Sequence, residues 1–249
     1  MPIRKRLYNK DMESRPRQAK SQIRAPAPRV GPKEGILMDL VDEAAARRSR
    51  EERRDKQVWA GALALGRRYA FDETHGTQVA VLALSLFDQL SSLHGLGGAE
   101  RRILMAAALT HDIGIHISFK KHHKHSYRLI SESELKDFTL RQMLLAANVA
   151  RYHRKAEPSM THDNFTALEP QERRTVEILA ALLRVADALD REHRRQIVPI
   201  RARVEDRRVV LILEGEGDLS LERWAVQRKA GLFERVFERE LQIEEGGGV

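Results

Sequence analysis

Three features of the 249-residue sequence predict a mainly α protein, a helical bundle with a small C-terminal α+β element. From about residue 35 to 196, apolar residues recur at three- and four-residue spacing, the period that lines one face of a helix. Aromatic residues make up only 5% of the chain, so the core of that bundle is aliphatic. Beyond 196 the composition switches, and "IVPIRARVEDRRVVLILEG" is rich in the β-branched residues that favour strands.

Taken in order, residues 1–34 are expected to form a basic, disordered leader, with prolines at 16, 26 and 28 and little periodicity. The helical domain then spans 35–196. "GILMDLVDEAAARR" opens a helix, and "SREERRDKQVWAGALALGRRYA" continues it, after a break or without one. There Val58, Ala62, Leu65 and Tyr69 fall at helical spacing. "FDETHGTQVAVLALSLFDQLSSLHGLG" is a long helix with Asp72 or Thr74 as its cap and Gly95, Gly97 and Gly98 at its end. "GAERRILMAAALTHDIG" is the next. "HHKHSYRLISESEL" starts another, and "TLRQMLLAANVARYHR" follows with Thr139 as its cap. "QERRTVEILAALLRVADALDREHR" is the last long helix of the body. Residues 197–243 form a strand–strand–helix element. Its helix, "LERWAVQRKAGLFERVFEREL", carries Trp224, Leu232, Phe233, Val236 and Phe237 on the apolar side, and 244–249 are a tail.

Charge and composition narrow the function classes. The formal net charge is +8, but residues 1–34 carry ten Lys/Arg against three Asp/Glu, so the remainder is nearly neutral. A basic leader can touch an anionic surface. With no recognised reading motif and a neutral body, nucleic acid is set aside as a partner. No apolar run reaches membrane-spanning length, and the N-terminus has no hydrophobic segment after its charges, so neither a membrane span nor a signal peptide is expected. Cysteine is absent, which excludes disulfides and thiolate ligands and fits a reducing, cytoplasmic compartment.

The chemistry concentrates in "HDIGIHISFKKHHKH", residues 111–125, which holds five of the ten histidines. Metal ligands are seldom contiguous, so the informative residues are His and Asp at helix ends that can converge. His75 lies near a helix start, His111 and Asp112 end the next helix, and His153 ends another. Asp187 lies between Ala186 and Ala188 in a largely apolar helix, where an unpaired carboxylate is costly and a cation would serve it. Such a mixed nitrogen and oxygen donor set suits one or two divalent ions, Mn, Fe, Zn, Ni or Co, with Mg less natural. Taken singly, each residue has an ordinary alternative: a histidine as a cap, or Asp187 paired with Arg184 or Arg191.

The order H…HD…D across helices resembles the HD superfamily of metal-dependent phosphohydrolases. The stretches "GPKEGILMDL", "FDETHGTQVAVLALSLFDQL", "AALTHDIGIHISFKKHHKHSYRLI", "VARYHRK", "LLRVADALDR" and "LERWAVQRKAGLFERVF" are more closely similar to the C-terminal helical domain of exopolyphosphatases and guanosine pentaphosphate phosphatases. The resemblance covers roughly 31–243 and implies an HD-type helical bundle. It implies His75, His111, Asp112 and Asp187 as ligands of the principal metal. A second ion would add His125, or His122 as its rival, together with His153, Asp112 bridging the two. Of these, His111, Asp112, His122 and His153 are the catalytic candidates, with His122 or His123 a source of the leaving group's proton. Lys121, Lys124, Arg128, Arg151, Arg154 and Lys155 are candidate phosphate contacts.

The implied function is metal-dependent hydrolysis of a phosphate-rich substrate by water attack on phosphorus. Polyphosphate or an oligophosphate, a guanosine polyphosphate and a nucleotide are the candidates. Family members normally carry an actin-like domain pair ahead of the helical domain, and 249 residues leave no room for it. The alternative function is therefore a non-catalytic module that binds polyphosphate or an alarmone, with a structural or vestigial metal site. The apolar C-terminal helix and strand pair offer a surface for homo-oligomer formation.

Overall fold

The computed structural model describes residues 32–193, 197–215 and 218–246. Of the leader expected over 1–34, residues 1–31 lie outside the described residues while 32–34 open a helix, and of the tail expected over 244–249, residues 247–249 lie outside them while 244 and 245 end a strand. The chain divides into two units, Met1–Ala45 and Ala46–Val249; of the first, only the opening turns of one helix are described.

That helix, α1 (Pro32–Arg68), runs without a break, because its middle stretch of Ala, Arg, Glu and Lys consists of strong helix formers. Within the second unit its buried face is Val58, Ala62 and Leu65. The bundle continues with α2 (Glu73–Gln89), the single turn α3 (Ser91–His94), α4 (Gly98–Thr110), a 3-10 turn over Ile113–His116, α5 (His122–Ser131), α6 (Leu140–Arg151), the single turn α7 (Asp163–Thr166) and α8 (Pro170–Ala188). Caps set the starts. Asp72 accepts from the His75 backbone N–H at 3.0 Å. Thr139 accepts from Gln142 N–H at 3.1 Å, and the Gln142 side chain returns the bond.

Helix α8 is the axis of the bundle and packs against α2, α4 and α6. From Ile178 to Ala186 every residue is buried. Alanines on the facing surfaces, Ala106 to Ala108 on α4, Ala146 and Ala147 on α6, and Ala180 and Ala181 on α8, have no exposure above 2%. Small residues let helices approach closely, and the interleaved leucines Leu104, Leu109, Leu179 and Leu182 supply the apolar burial, each contributing about 2–3 kcal/mol.

The C-terminal element is β1 (Ile197–Val204), β2 (Arg208–Gly215), α9 (Ser220–Phe237) and β3 (Glu240–Glu245). Its strand order is β1-β2-β3, with β1 antiparallel and β3 parallel to β2. The parallel return requires a crossover, and α9 is that crossover. Gln89 at the end of α2 ties the edge strand to the bundle: its side chain donates to Ile200 O at 3.0 Å and accepts from Ala202 N–H at 2.8 Å. Helix α9 lies against α8, with Leu232, Phe233, Val236 and Phe237 buried. Trp224 departs from the expected apolar face. It is 50% exposed, because the stripe at the helix's start runs past the core to the rim of a cavity.

Candidate metal centre

Five elements deliver six side chains to one place. His75 comes from the first turn of α2, His111 and Asp112 from the end of α4, His122 from the first residue of α5, His153 from just beyond α6, and Asp187 from the last turn of α8. Asp187 Oδ1 lies 3.5 Å from His75 Nε2 and 3.6 Å from His111 Nε2. Asp112 Oδ1 lies 3.8 Å from His111 Nε2, 3.0 Å from His122 Nε2 and 3.4 Å from His153 Nε2. Two sets of ligand-type atoms result, His75–His111–Asp112 and Asp112–His122–His153, each lying within 4.8 Å of one another. Asp112 belongs to both.

The hydrogen bonds on the far side of each ring set its orientation. His111 Nδ1 donates to Ala108 O at 2.7 Å, His153 Nδ1 to Ala150 O at 2.7 Å, and His122 Nδ1 to Phe119 O at 3.1 Å. His75 Nδ1 donates to Asp190 Oδ2 at 2.8 Å. With the proton on Nδ1, neutral imidazole presents a lone pair at Nε2. At His122, Arg154 Nη1 lies 3.2 Å from Nε2 and 3.4 Å from Nδ1, so it is the Phe119 carbonyl that places the proton on Nδ1.

When these rings are neutral, lone pairs therefore face lone pairs. His122 Nε2 and His153 Nε2 are 3.3 Å apart. His111 Nε2 and Asp112 Oδ1 are buried with no hydrogen-bond partner, although Asp112 Oδ1 has three imidazoles around it. Such acceptors are costly together unless a cation lies between them. Imidazole nitrogens held by hydrogen bonds at their other nitrogen, with carboxylate oxygens beside them, fit a divalent transition ion.

The carboxylates and imidazoles also perturb one another. Burial pushes the Asp112 carboxyl up, but His111, His122 and His153 outweigh it and hold it well below the usual range. Burial likewise opposes charge on Asp187, and Lys229, His111 and His75 hold its pKa down. Burial lowers His75, yet Asp187 and Asp190 raise it to about 9. His153 goes the other way, to about 3, through burial and the neighbouring His111.

Gly114 of the "HDIG" run is what lets α5 come in. A Cβ there would stand 2.2 Å from His122 O and 2.4 Å from Ser126 N. Instead, the Gly114 N–H donates to Ser126 Oγ at 2.9 Å, which clips the 3-10 turn to α5 and sets His122 beside Asp112. Lys121 starts that helix from the left-handed region, at φ 63°, and so fixes which face of α5 turns inward.

The centre forms one wall of a cavity of about 550 Å3. Arg154, Lys155, Arg184, Arg191, Arg228 and Lys229 line it, as do Ile115, Phe119 and Trp224. Of the expected phosphate contacts, Arg154 and Lys155 are here. Lys124 and Arg151 line a separate cavity of about 120 Å3 with His123 and His162. Lys121 and Arg128 line neither, and Arg128 is paired with Glu132 at 3.2 Å. His125 stands outside both ligand sets, and His122 occupies the position beside Asp112. His123 faces the smaller cavity, away from the centre, where burial and His122 lower its pKa to about 4. His116 packs edge-on against Tyr69, with ring centroids 5.6 Å apart.

Several residues here had not been singled out from sequence for these contacts. Asp190 orients His75, a role that the "DALD" spacing could have suggested, since it lies one turn beyond Asp187. His193 stacks on His75 with centroids 3.8 Å apart, and its Nδ1 hydrogen-bonds Asp72 Oδ2 at 3.0 Å. Lys229 donates to Asp187 from α9. Arg184 is buried and donates to Tyr152 O at 3.0 Å, holding the turn that carries His153.

This arrangement groups His and Asp side chains that could hold a metal ion on a helical bundle, and sequence comparison identifies the family. Residues 59–225, two thirds of the chain, match the family model described as Ppx/GppA phosphatase, domain III, and the chain belongs to that family. Among similar proteins, a guanosine-5'-triphosphate,3'-diphosphate pyrophosphatase of Vibrio vulnificus (strain YJ016) is 34% identical over 130 residues, 52% of this chain and 25% of that protein. Its namesake from Vibrio parahaemolyticus serotype O3:K6 (strain RIMD 2210633) is 28% identical over 130 residues, 51% of this chain and 24% of the relative. The chain thus spans about a quarter of the length of these relatives. Among the described residues, no helix is long and apolar enough to cross a membrane.

Proposed function

We propose that the chain is a metal-dependent phosphohydrolase acting on a phosphate-rich substrate, such as polyphosphate, a guanosine polyphosphate or a nucleotide. The observation that carries this reading is the pair of ligand sets sharing Asp112 at the wall of a cavity lined by arginine and lysine. His75, His111, Asp112 and Asp187 would hold one ion, and His122 and His153 with Asp112 a second. A divalent ion supplies two things there, a lowered pKa for water and polarisation of a phosphoryl oxygen.

The chain's own residues do the rest. Asp190 and the backbone carbonyls of Ala108, Ala150 and Phe119 keep each imidazole's Nε2 aimed inward, so the rings themselves need not turn on binding. Arg154, whose Nη1 lies 3.2 Å from His122 Nε2, brings a guanidinium to the centre that can turn to a non-bridging phosphate oxygen. Lys155 and Arg228 extend the positive lining outward, which suits a substrate with more than one phosphate. Phe119, with Arg154 over its ring at 5.9 Å, adds an exposed aromatic face to the cavity lining.

The test is phosphate release from a panel of polyphosphate, guanosine polyphosphates and nucleotides with Mn, Mg or Co. Release by the native protein is expected, with a loss of at least about a thousandfold in His111→Ala. Binding of a panel member without release would identify a binding module instead.

A further inference from the structure

We infer that Lys229, carried by the C-terminal element, is a positioning residue of the metal centre that holds Asp187 with one oxygen turned to the histidines. The inference rests on the metal reading above and concerns a residue outside the family match, which ends at residue 225.

The two oxygens of Asp187 have different surroundings. Oδ1 faces the imidazoles, 3.5 Å from His75 Nε2 and 3.6 Å from His111 Nε2. Oδ2 takes the ammonium of Lys229. A carboxylate divided in this way can offer one oxygen to an ion while the other stays fixed. Neither partner is at the surface, with side-chain exposures of 15% for Asp187 and 19% for Lys229, so the pair is not a solvated ion pair of little consequence.

Charge supports the same role. Asp112, Asp187 and Asp190 bring three carboxylates to the centre, and Lys229 brings an ammonium to Asp187. A protonated lysine has three donors and no lone pair, so it cannot be a ligand itself. It can only orient one or repel the ion. These two effects have opposite signs. If repulsion dominates, removing the charge tightens metal binding; if orientation dominates, removing it weakens binding. Residues that orient metal ligands typically affect affinity by about 10- to 100-fold. The geometry favours orientation, because Lys229 sits on the oxygen turned away from the histidines.

The consequence is that α9 is a working wall of the site. The β1-β2-α9-β3 element is tied to the bundle by Gln89 at one end and closes on Asp187 at the other.

The experiment is Mn2+ titration of the full-length, chelator-stripped protein, with a competing chromogenic chelator reporting the dissociation constant. Native protein is compared with K229M, K229Q and K229R, and each variant is melted in EDTA to establish that it folds. The dissociation constant should rise by about tenfold or more in K229M and K229Q, and K229R should recover part of the loss. Native-like or tighter binding by whichever of K229M and K229Q folds overturns the positioning role while leaving the metal reading intact. Failure of the native protein to bind Mn2+ overturns both.

Discussion

Gly114→Ala is the sharpest perturbation of the centre available without touching a proposed ligand. The new Cβ would lie 2.2 Å from His122 O and 2.4 Å from Ser126 N, both backbone atoms of α5. An ordinary carbon–oxygen contact is about 3.3 Å, so the start of α5 must retreat by roughly 1 Å. Metal–ligand distances tolerate only about 0.2 Å. His122 therefore leaves the Asp112–His122–His153 set, while His75, His111, Asp112 and Asp187 come from other elements and stay. Overpacking costs about 1–3 kcal/mol, and the lost Gly114–Ser126 bond adds about 1 kcal/mol. Mn2+ stoichiometry by plasma mass spectrometry should fall by about one ion per chain, and a chemical melt should show the stability loss. Gly231→Ala is the control. It is on α9, its Cβ would meet only Glu157 at 3.8 Å, and it should stabilise by about 0.5–1 kcal/mol with unchanged metal. Native stoichiometry and native stability in Gly114→Ala would refute the close-approach argument.

Two further predictions concern His75. Asp190→Asn keeps the shape but weakens the hold on His75 Nδ1, so Mn2+ affinity should drop by about 10- to 100-fold in a folded protein, measured by chelator competition. In EDTA, the protein's stability should depend on pH through the same residue. The folded pKa of His75 is raised from 6.5 to about 9 by Asp187 and Asp190, against the opposing effect of burial. Its contribution is thus fully present below about pH 6.5 and lost as pH rises through about 9, amounting to about 3 kcal/mol at most. Urea midpoints at pH 6.5 and 9.5 should show the fall, and His75→Gln should flatten it; a native midpoint that rises over this interval contradicts the sign.

The helices were legible because their periodicity is strong and their caps are local: Asp72 and Thr139 announce themselves within a few residues of the turn they cap. The convergence of His75, His111, Asp112 and Asp187 could be anticipated from a pattern spread over three helices, since an aspartate set among alanines in a buried helix demands a partner. Choosing between His122 and His125 could not be done from sequence. Both lie on α5, and which one faces Asp112 depends on the phase at which Lys121 starts the helix and on how closely Gly114 lets it approach. The six basic residues near the histidine run looked equivalent along the chain, yet Arg154 and Lys155 face one cavity and Lys124 and Arg151 another, a division made by helix phase and tertiary packing. Trp224 and Lys229 were the least legible. Their helix follows the usual amphipathic pattern, and nothing local says that its first turns overhang a site assembled from residues 37 or more positions away.

The central claim is that these histidines and aspartates hold a divalent ion. The most direct measurement is the metal content of protein purified without added chelator, native beside Asp112→Ala, by plasma mass spectrometry. Asp112 is common to both ligand sets, so its removal damages each of them. The native chain should carry a stoichiometric transition metal, and Asp112→Ala should retain less than about a tenth of it under the same washing. Equal metal in the two proteins, or none in the native protein even after loading with Mn2+, would contradict the account.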